Sequence, residues 1–387
     1  MIAILKREWK SYFQNITGWL FIAAVLALYG LYFLAYNLRA GYPYVSYTLS
    51  AISFIMLIAV PILTMRSMAE ERHSRTDQLV LTAPVSLGKM IFGKFLAMVG
   101  VFTVAVAVIA VTPLVLAAFG TVPMGENYVA VLGFWLYGCT CIAVGMLASA
   151  LTESQVIAAV VAFAFLFLGY MMNSITGLIG DHLITKVLGA YDLYTPLQSF
   201  MSGCLDLTGV VYFVSVTALC LFLTCQCVQK RRWSMTTKKL TTGMFSVAMI
   251  VVGFAVAVAV NMVVKEMPSS WTAVDATSTK LYSLTDTTKD YVKNLSQDVT
   301  IYVLSSEKSA DSTLAETLQR YEDLSKHLNV VYKDPAKSPN FYQQYTDSAP
   351  SQNSMIVVSD ARSRVVDYSD IYEYSYDYST YSSSVDG

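Results

Sequence analysis

Charge is scarce in this sequence. Asp, Glu, Lys and Arg make up 14% of 387 residues, while hydrophobic residues make up 55%. An average soluble domain carries roughly a quarter charged residues, so this composition excludes a chain built for water throughout. Histidine is scarcer still: His73, His182 and His327 lie in separate segments. That scatter, and the lack of HExxH, GxSxG and CxxC motifs, leaves no visible metal centre or catalytic constellation. The cysteines, Cys139, Cys141, Cys204, Cys220, Cys225 and Cys227, fall almost wholly in apolar stretches, and none follows position 227. They imply no disulfide framework, and Cys225 and Cys227 without histidine partners read as small apolar filler. No basic patch interleaved with aromatics points to nucleic acid.

What charge there is divides sharply. Up to Val264 there are 15 Lys/Arg against 9 Asp/Glu, and from Lys265 onward 11 against 18. The net charge of −1 therefore joins a basic, apolar part to an acidic, polar one.

The apolar part contains seven stretches near the roughly 20 residues that a helix needs to cross a hydrocarbon core. They run Gly18–Leu38, Tyr47–Met65, Phe95–Phe119, Tyr128–Leu151, Val156–Ile179, Val210–Val228 and Met244–Val264. The first is too long for a secretory signal, and no small-residue cleavage site closes it. One set of connections holds Lys6, Arg7, Lys10, Arg66, Arg72, Arg75, Lys89, Lys94, Lys230, Arg231, Arg232, Lys238 and Lys239, whereas the alternate set holds Arg39 and Lys186. The positive-inside rule then puts the N-terminus in the cytoplasm and everything after the seventh span outside. Ionisable residues are nearly missing within the spans, where Asn173 is the clearest polar side chain. That argues against a proton- or sodium-coupled carrier. Gly145 and Ser149, four apart, allow close helix packing, either within one bundle or between copies.

Three connections carry organisation. At the N-terminus Ile2, Leu5, Trp9, Tyr12, Phe13 and Ile16 share a helical face while Lys6, Arg7 and Lys10 lie elsewhere, the pattern of an interfacial helix, the alternative being an ordinary cytoplasmic lead-in. The loop from Arg66 to Lys94 opens with a polar helical segment, Arg66–Gln78, and breaks at Pro84. Within it Gly88 to Phe95 nearly spells a phosphate-binding loop, but Phe95 stands where the magnesium-binding Ser/Thr is required and no strand precedes it. Lys89 and Lys94 read instead as interfacial anchors. The outer segment from Gly180 to Gly209 is mixed in character and suggests no role.

After Lys265 the pattern becomes that of a soluble α/β domain. Strands are expected at Val299–Leu304, Leu328–Tyr332, Met355–Val358 and Arg364–Asp367, with an amphipathic helix over Thr313–Lys326. A βαβ core follows. From Tyr368 a Tyr/Ser/Asp tract reads as a loop or tail.

The run Met68-Ala69-Glu70-Glu71-Arg72, then Thr76 to Ser86 and Gly93-Lys94, resembles the coupling-helix region of type-2 ABC transporter permeases. The N-terminal helix ending near Trp19 resembles their elbow helix. Two departures stand out: Arg75 occupies a position where that family usually has Gly, and Gln78 one where Glu is common. The later part resembles a second family, the GldG-like gliding-motility auxiliary components, through Asp275, Lys280 to Thr285, Thr288, Leu295, Val299 and Asp334-Pro335. That domain usually continues further, so the chain is expected to carry an incomplete one ending at Gly387.

The fold class these resemblances imply is a membrane all-α bundle, a six-helix permease unit plus one further span, followed by an extracytoplasmic α/β domain. The divisions are an elbow helix at 1–17, a six-span unit at 18–232 with its coupling loop at 66–94, a seventh span at 244–264 and the outer domain at 265–387. The implied function is that of a multi-pass permease of a bacterial cytoplasmic-membrane ABC exporter, not itself an enzyme, with no cofactor in this chain. Its implied partners are a separate ABC ATPase, a second permease copy or paired permease, and the bilayer. Met68, Glu70, Glu71, Arg72, Thr76 and Gln78 are the candidates for ATPase coupling, with Lys6, Arg7, Trp9 and Phe13 in the elbow. The alternative is a non-transporting scaffold whose outer domain binds a partner or a surface polysaccharide. The substrate has no signature.

Overall fold

The computed structural model describes residues 2–75, 86–179, 188–231, 239–267, 272–276, 284–295, 297–306, 309–346, 348–359, 362–371, 373–377 and 382–386. The chain divides into two units, Met1–Met201 with Asp206–Glu266, and Ser202–Leu205 with Met267–Gly387.

The first unit is helical. An amphipathic helix α1 (Ile2–Gln14) leads into α2 (Ile16–Phe33), which a π-helical turn prolongs over Leu34–Arg39. There follow α3 (Ser46–Thr64), α4 (Arg66–His73), α5 (Leu87–Ile109), α6 (Thr112–Ala117), α7 (Met124–Leu151), α8 (Gln155–Ile179), α9 (Thr195–Met201), α10 (Leu207–Arg231) and α11 (Lys239–Lys265). Among the described residues, seven helical segments are long and apolar enough to cross a membrane, the first Ile16–Arg39 and the last Ala248–Lys265. The long ones are apolar nearly all round, as helices must be when their outer surface meets lipid.

α7 is the axis of the bundle. It packs against α3, α5, α8, α9 and α10, and its Phe134 and Tyr137 are wholly buried. α9 lies in the segment to which the sequence assigns no role. Its Phe200 is fully buried, with the ring against Gly133 of α7 and Gly209 of α10, so a short helix fills the space between two long ones. α11 is the opposite of α7: it packs on α10 and leaves Val251, Val256, Met262 and Val263 exposed.

The buried asparagines of the bundle are paired, as removal from water requires. Asn37 is buried; its amide donates to the carbonyls of Tyr42 (2.8 Å) and Tyr44 (3.0 Å), and its oxygen accepts from Thr48 (2.7 Å). Asn127 accepts from the Val45 N–H at 2.7 Å and donates to the Pro43 carbonyl at 3.0 Å. Together they fix the turn between α2 and α3. Asn261 of α11 donates to Ser215 of α10 at 2.7 Å. The asparagines that organise the bundle are thus these three rather than Asn173, because what matters is a carbonyl or hydroxyl within reach, which hydropathy does not report.

The second unit holds helices α12 (Asp286–Lys293) and α13 (Ser312–Leu324) and most of the strands. β1 (Cys204–Asp206) pairs with β2 (Ala273–Asp275), so Cys204 belongs to this unit, which the sequence reading leaves without cysteine. The main sheet comprises β3 (Val299–Val303), β4 (Leu328–Tyr332), β5 (Met355–Ser359) and β6 (Ser363–Val366), in the order β4-β3-β5-β6. β3 and β4 are parallel, joined through α13, and the other pairs are antiparallel. Register sets Ile301 between Val330 and Val357. With Val303, Leu328, Leu314, Leu318 and Val292 it forms one apolar core. The Asp311 carboxylate caps α13, accepting from the Leu314 N–H at 2.9 Å.

Within the Tyr/Ser/Asp tract, read from the sequence as a loop or tail, the described residues include two strands. β7 (Glu373–Asp377) pairs antiparallel with β8 (Ser382–Asp386), Tyr374 opposite Val385. Tyr and Ser alternate through β7, a period of two that suits a strand, and the tract's overall polarity hides it.

Candidate functional site

The charged helix expected from Arg66 to Gln78 is shorter and is no separate element. α4 continues α3 through a bend at Met65 and stops at His73. Arg75 then takes a left-handed conformation, φ +55°. A side chain there crowds the following carbonyl, which gives the position a physical preference for glycine and ends the helix. Thr76 and Gln78 lie outside the described residues.

The bend is built by α7. Ser149 Oγ accepts from the Met68 and Ala69 N–H groups, each at 3.1 Å, and donates to the Met65 carbonyl at 3.0 Å. One turn earlier, Gly145 faces Thr64 so closely that a Cβ would collide with it. Gly145 and Ser149 are therefore spent on packing within one bundle. Met68 is buried by the same contact.

The charges of α4 reach several different parts of the bundle. Arg66 grips Glu70 bidentately at 2.7 and 2.8 Å and donates to Thr17 at the start of α2 at 3.3 Å. Arg72 pairs with Glu153 in the turn between α7 and α8 at 2.8 Å and donates to the Leu151 carbonyl at 3.3 Å. Glu71 meets Lys94 of α5 at 2.6 Å and Arg7 of α1 at 3.7 Å. Lys94 also lies 3.8 Å from Glu8 and donates to the Ser67 carbonyl at 2.9 Å. Its side chain is 3% exposed, so it is no interfacial anchor; the carboxylates of two other helices have drawn it inward. Four cations and four carboxylates thus share one end of the bundle, with Lys94 enclosed and the Arg66–Glu70 and Arg72–Glu153 pairs partly open to solvent.

The elbow residues are placed around this network. Trp9 lays its ring on Gly100 of α5, where a Cβ would not fit, and Phe13 packs against Trp9 (5.1 Å) and edge-on against Trp19 (5.4 Å). The Trp19 indole donates to the Phe13 carbonyl at 2.9 Å, closing the turn from α1 to α2. Arg7 joins the ion pairs, while Lys6 stays exposed. Sequence reasoning missed Glu8, Ser149 and Glu153 as parts of this site, and it placed Lys94 in the coupling motif but gave it the role of an anchor. Glu8, the lone acid in a basic helix, is the one signal that was there to be read.

Residues 36–228 match the family model described as ABC-2 family transporter protein. This chain carries an ABC-2 transporter membrane domain. The ABC-2 domain spans α3 to α10, together with the π-helical end of α2, and supports a membrane component of an ABC-type transporter. The family implies pairing with an ABC ATPase subunit. Residues 278–371 match a domain of unknown function, DUF7088. No curated protein matches the chain.

Proposed function

We propose that this chain is the permease subunit of an ABC exporter, and that a separate ATPase docks at the end of the bundle where α4 lies. The observation that carries this reading is the wiring of α4. The charged side chains of this eight-residue helix inside an ABC-2 domain tie it to α1, α2, α5 and the α7–α8 turn, leaving His73, Ser74 and Arg75 exposed at its tip. A displacement delivered at the tip would reach four parts of the bundle at once. Glu70, Glu71 and Arg72, with Met68, Thr76 and Gln78, form the coupling segment in this reading. The basic connections support a cytoplasmic location for α4 in the cell membrane, with the second unit outside.

In the same reading residues 18–232 form the six-span transport unit, working as a dimer or paired permease. α11, which packs on α10, carries the second unit across as a GldG-like auxiliary domain, supported by Lys280 to Thr285 and Asp334-Pro335. The test is purification of the full chain with the P-loop ATPase that accompanies it. Reversal of Glu70 and Glu71 to lysine is expected to lower ATPase association and transport-coupled hydrolysis together. Unchanged values for both would refute the assignment.

A further inference from the structure

The coupling network has a centre, Lys94, which the coupling-helix resemblance includes in its motif without giving it a role. We propose that Lys94 is a positioning residue at that centre, an enclosed charge that makes α1, α4 and the start of α5 move as a single body. The mechanical part of this inference stands on geometry alone; its use in transport rests on the reading given under Proposed function.

Four observations lead to it. The ammonium is almost wholly enclosed, and it sits in the second turn of α5 rather than at a helix end where it could reach water. Its three polar neighbours belong to two other helices: Glu71 and the Ser67 carbonyl on α4, and Glu8 on α1. Glu71 and the Ser67 carbonyl lie within hydrogen-bond reach of the ammonium, and Glu8 at 3.8 Å adds a longer ion pair. Lastly, α1 has its own apolar hold on α5 through Trp9 against Gly100, but between α1 and α4 the described ion pairs run through Glu8, Arg7, Glu71 and Lys94. With a neutral side chain at position 94, the Glu8 and Glu71 carboxylates would lose the enclosed cation they share, while the Arg7 beside them is half exposed. Repulsion would then separate α1 from α4.

Hydrogen exchange of the full chain in nanodiscs tests this without any ATPase. In Lys94→Met, amides of α1 and α4 should exchange about tenfold faster or more, while those of α7 and α10 keep wild-type rates. Lys94→Arg should restore both helices. In the exchanged pair Lys94→Glu with Glu71→Lys, α4 should recover but α1 should not, because the carboxylate moved to position 94 faces Glu8. A merely structural lysine would not separate the two helices in this way. Wild-type exchange of α1 in Lys94→Met, or equal acceleration in every helix, overturns the proposal. In the ATPase complex, Lys94→Met should keep the ATPase bound yet lose most of the hydrolysis coupled to transport. Loss of coupling with α1 unaltered also overturns it. If wild type binds no ATPase while Lys94→Met still frees α1, the docking reading falls and the mechanical inference stands.

Discussion

Replacing Ser149 by alanine removes one oxygen atom and three hydrogen bonds. The oxygen accepts from the N–H groups of Met68 and Ala69 and donates to the Met65 carbonyl, and the side chain is wholly buried between α7 and the α3–α4 bend. Alanine fills nearly the same volume, so cavity formation adds little and the loss is polar. Each buried group left without a partner costs about 1–3 kcal/mol. Three such groups would give up to about 9 kcal/mol if none found a substitute, but the bend lies next to exposed residues of α4 and water or a shifted carbonyl can meet some of them. The expected destabilisation is therefore about 2–4 kcal/mol, concentrated at the bend. The buried thiols of Cys139, Cys141 and Cys220 supply the assay. A thiol-reactive dye reports opening of the bundle during unfolding in mixed micelles. Ser149→Ala should shift the midpoint by the equivalent of that energy, and exchange of the α4 amides should rise more than that of α10. A shift below about 0.5 kcal/mol would mean that the bend holds itself, and that the reasoning from its hydrogen bonds is wrong.

Three further outcomes follow from single residues. Arg75→Gly should stabilise the chain by about 0.5–1 kcal/mol in the same unfolding assay, since glycine accepts φ +55° and the relief of about 1–2 kcal/mol outweighs its larger unfolded-state entropy, whereas Arg75→Val should destabilise it. Gly145→Val should lower the unfolding midpoint, because its side chain would meet Thr64 across the α3–α7 contact. Asp367 is held well below the usual carboxylate range, first by the Ser351 N–H, then by the Ser351 hydroxyl and the Ser369 N–H. A depressed value in the folded state means that its contribution is complete above the unfolded value near ~4 and is lost as pH falls toward the folded value. Exchange of the β5 and β6 amides should therefore quicken below about pH 4 in wild type, and Asp367→Asn should flatten that dependence.

The spans were legible because lipid imposes a length and a composition, and both can be read one residue at a time. The strands β3 and β4 were legible for a related reason: Ile301 and Val303 alternate with Thr300 and Tyr302, and Leu328 and Val330 flank Asn329. The end of α4 was not, since Arg75 forms its left-handed turn without the glycine that would announce it. Lys94 was misread for a deeper reason. A lysine flanking an apolar run is ordinarily drawn toward water, and only the arrival of Glu8 and Glu71 from segments 86 and 23 positions away reverses that. Pairing across such distances leaves no trace in local pattern. The same holds for Ser149, which looks like a small packing residue until the broken turn of α3 is set against it.

The length of α4 ties these observations to mechanism. Isolated helices shorter than about 12–15 residues are marginal in water, because nucleation costs more than a few hydrogen bonds return. At eight residues, two of them glutamates and three basic, α4 has little propensity of its own and takes its helical start from α3, which it continues. Its form depends on Ser149 at its start and on Lys94, Glu153 and Thr17 along its sides. Apolar packing could have held it too, and at lower desolvation cost. The two solutions differ in what happens under load. An apolar contact weakens as it slides, whereas Lys94, if it left its carboxylates behind, would remain unpaired in a poorly solvated place, a state that costs several kcal/mol. A helix held by ion pairs therefore resists moving alone and tends to take its partners with it. On this argument the charges of α4 are chosen less for stability than for the stiffness of the link between α4 and the spans.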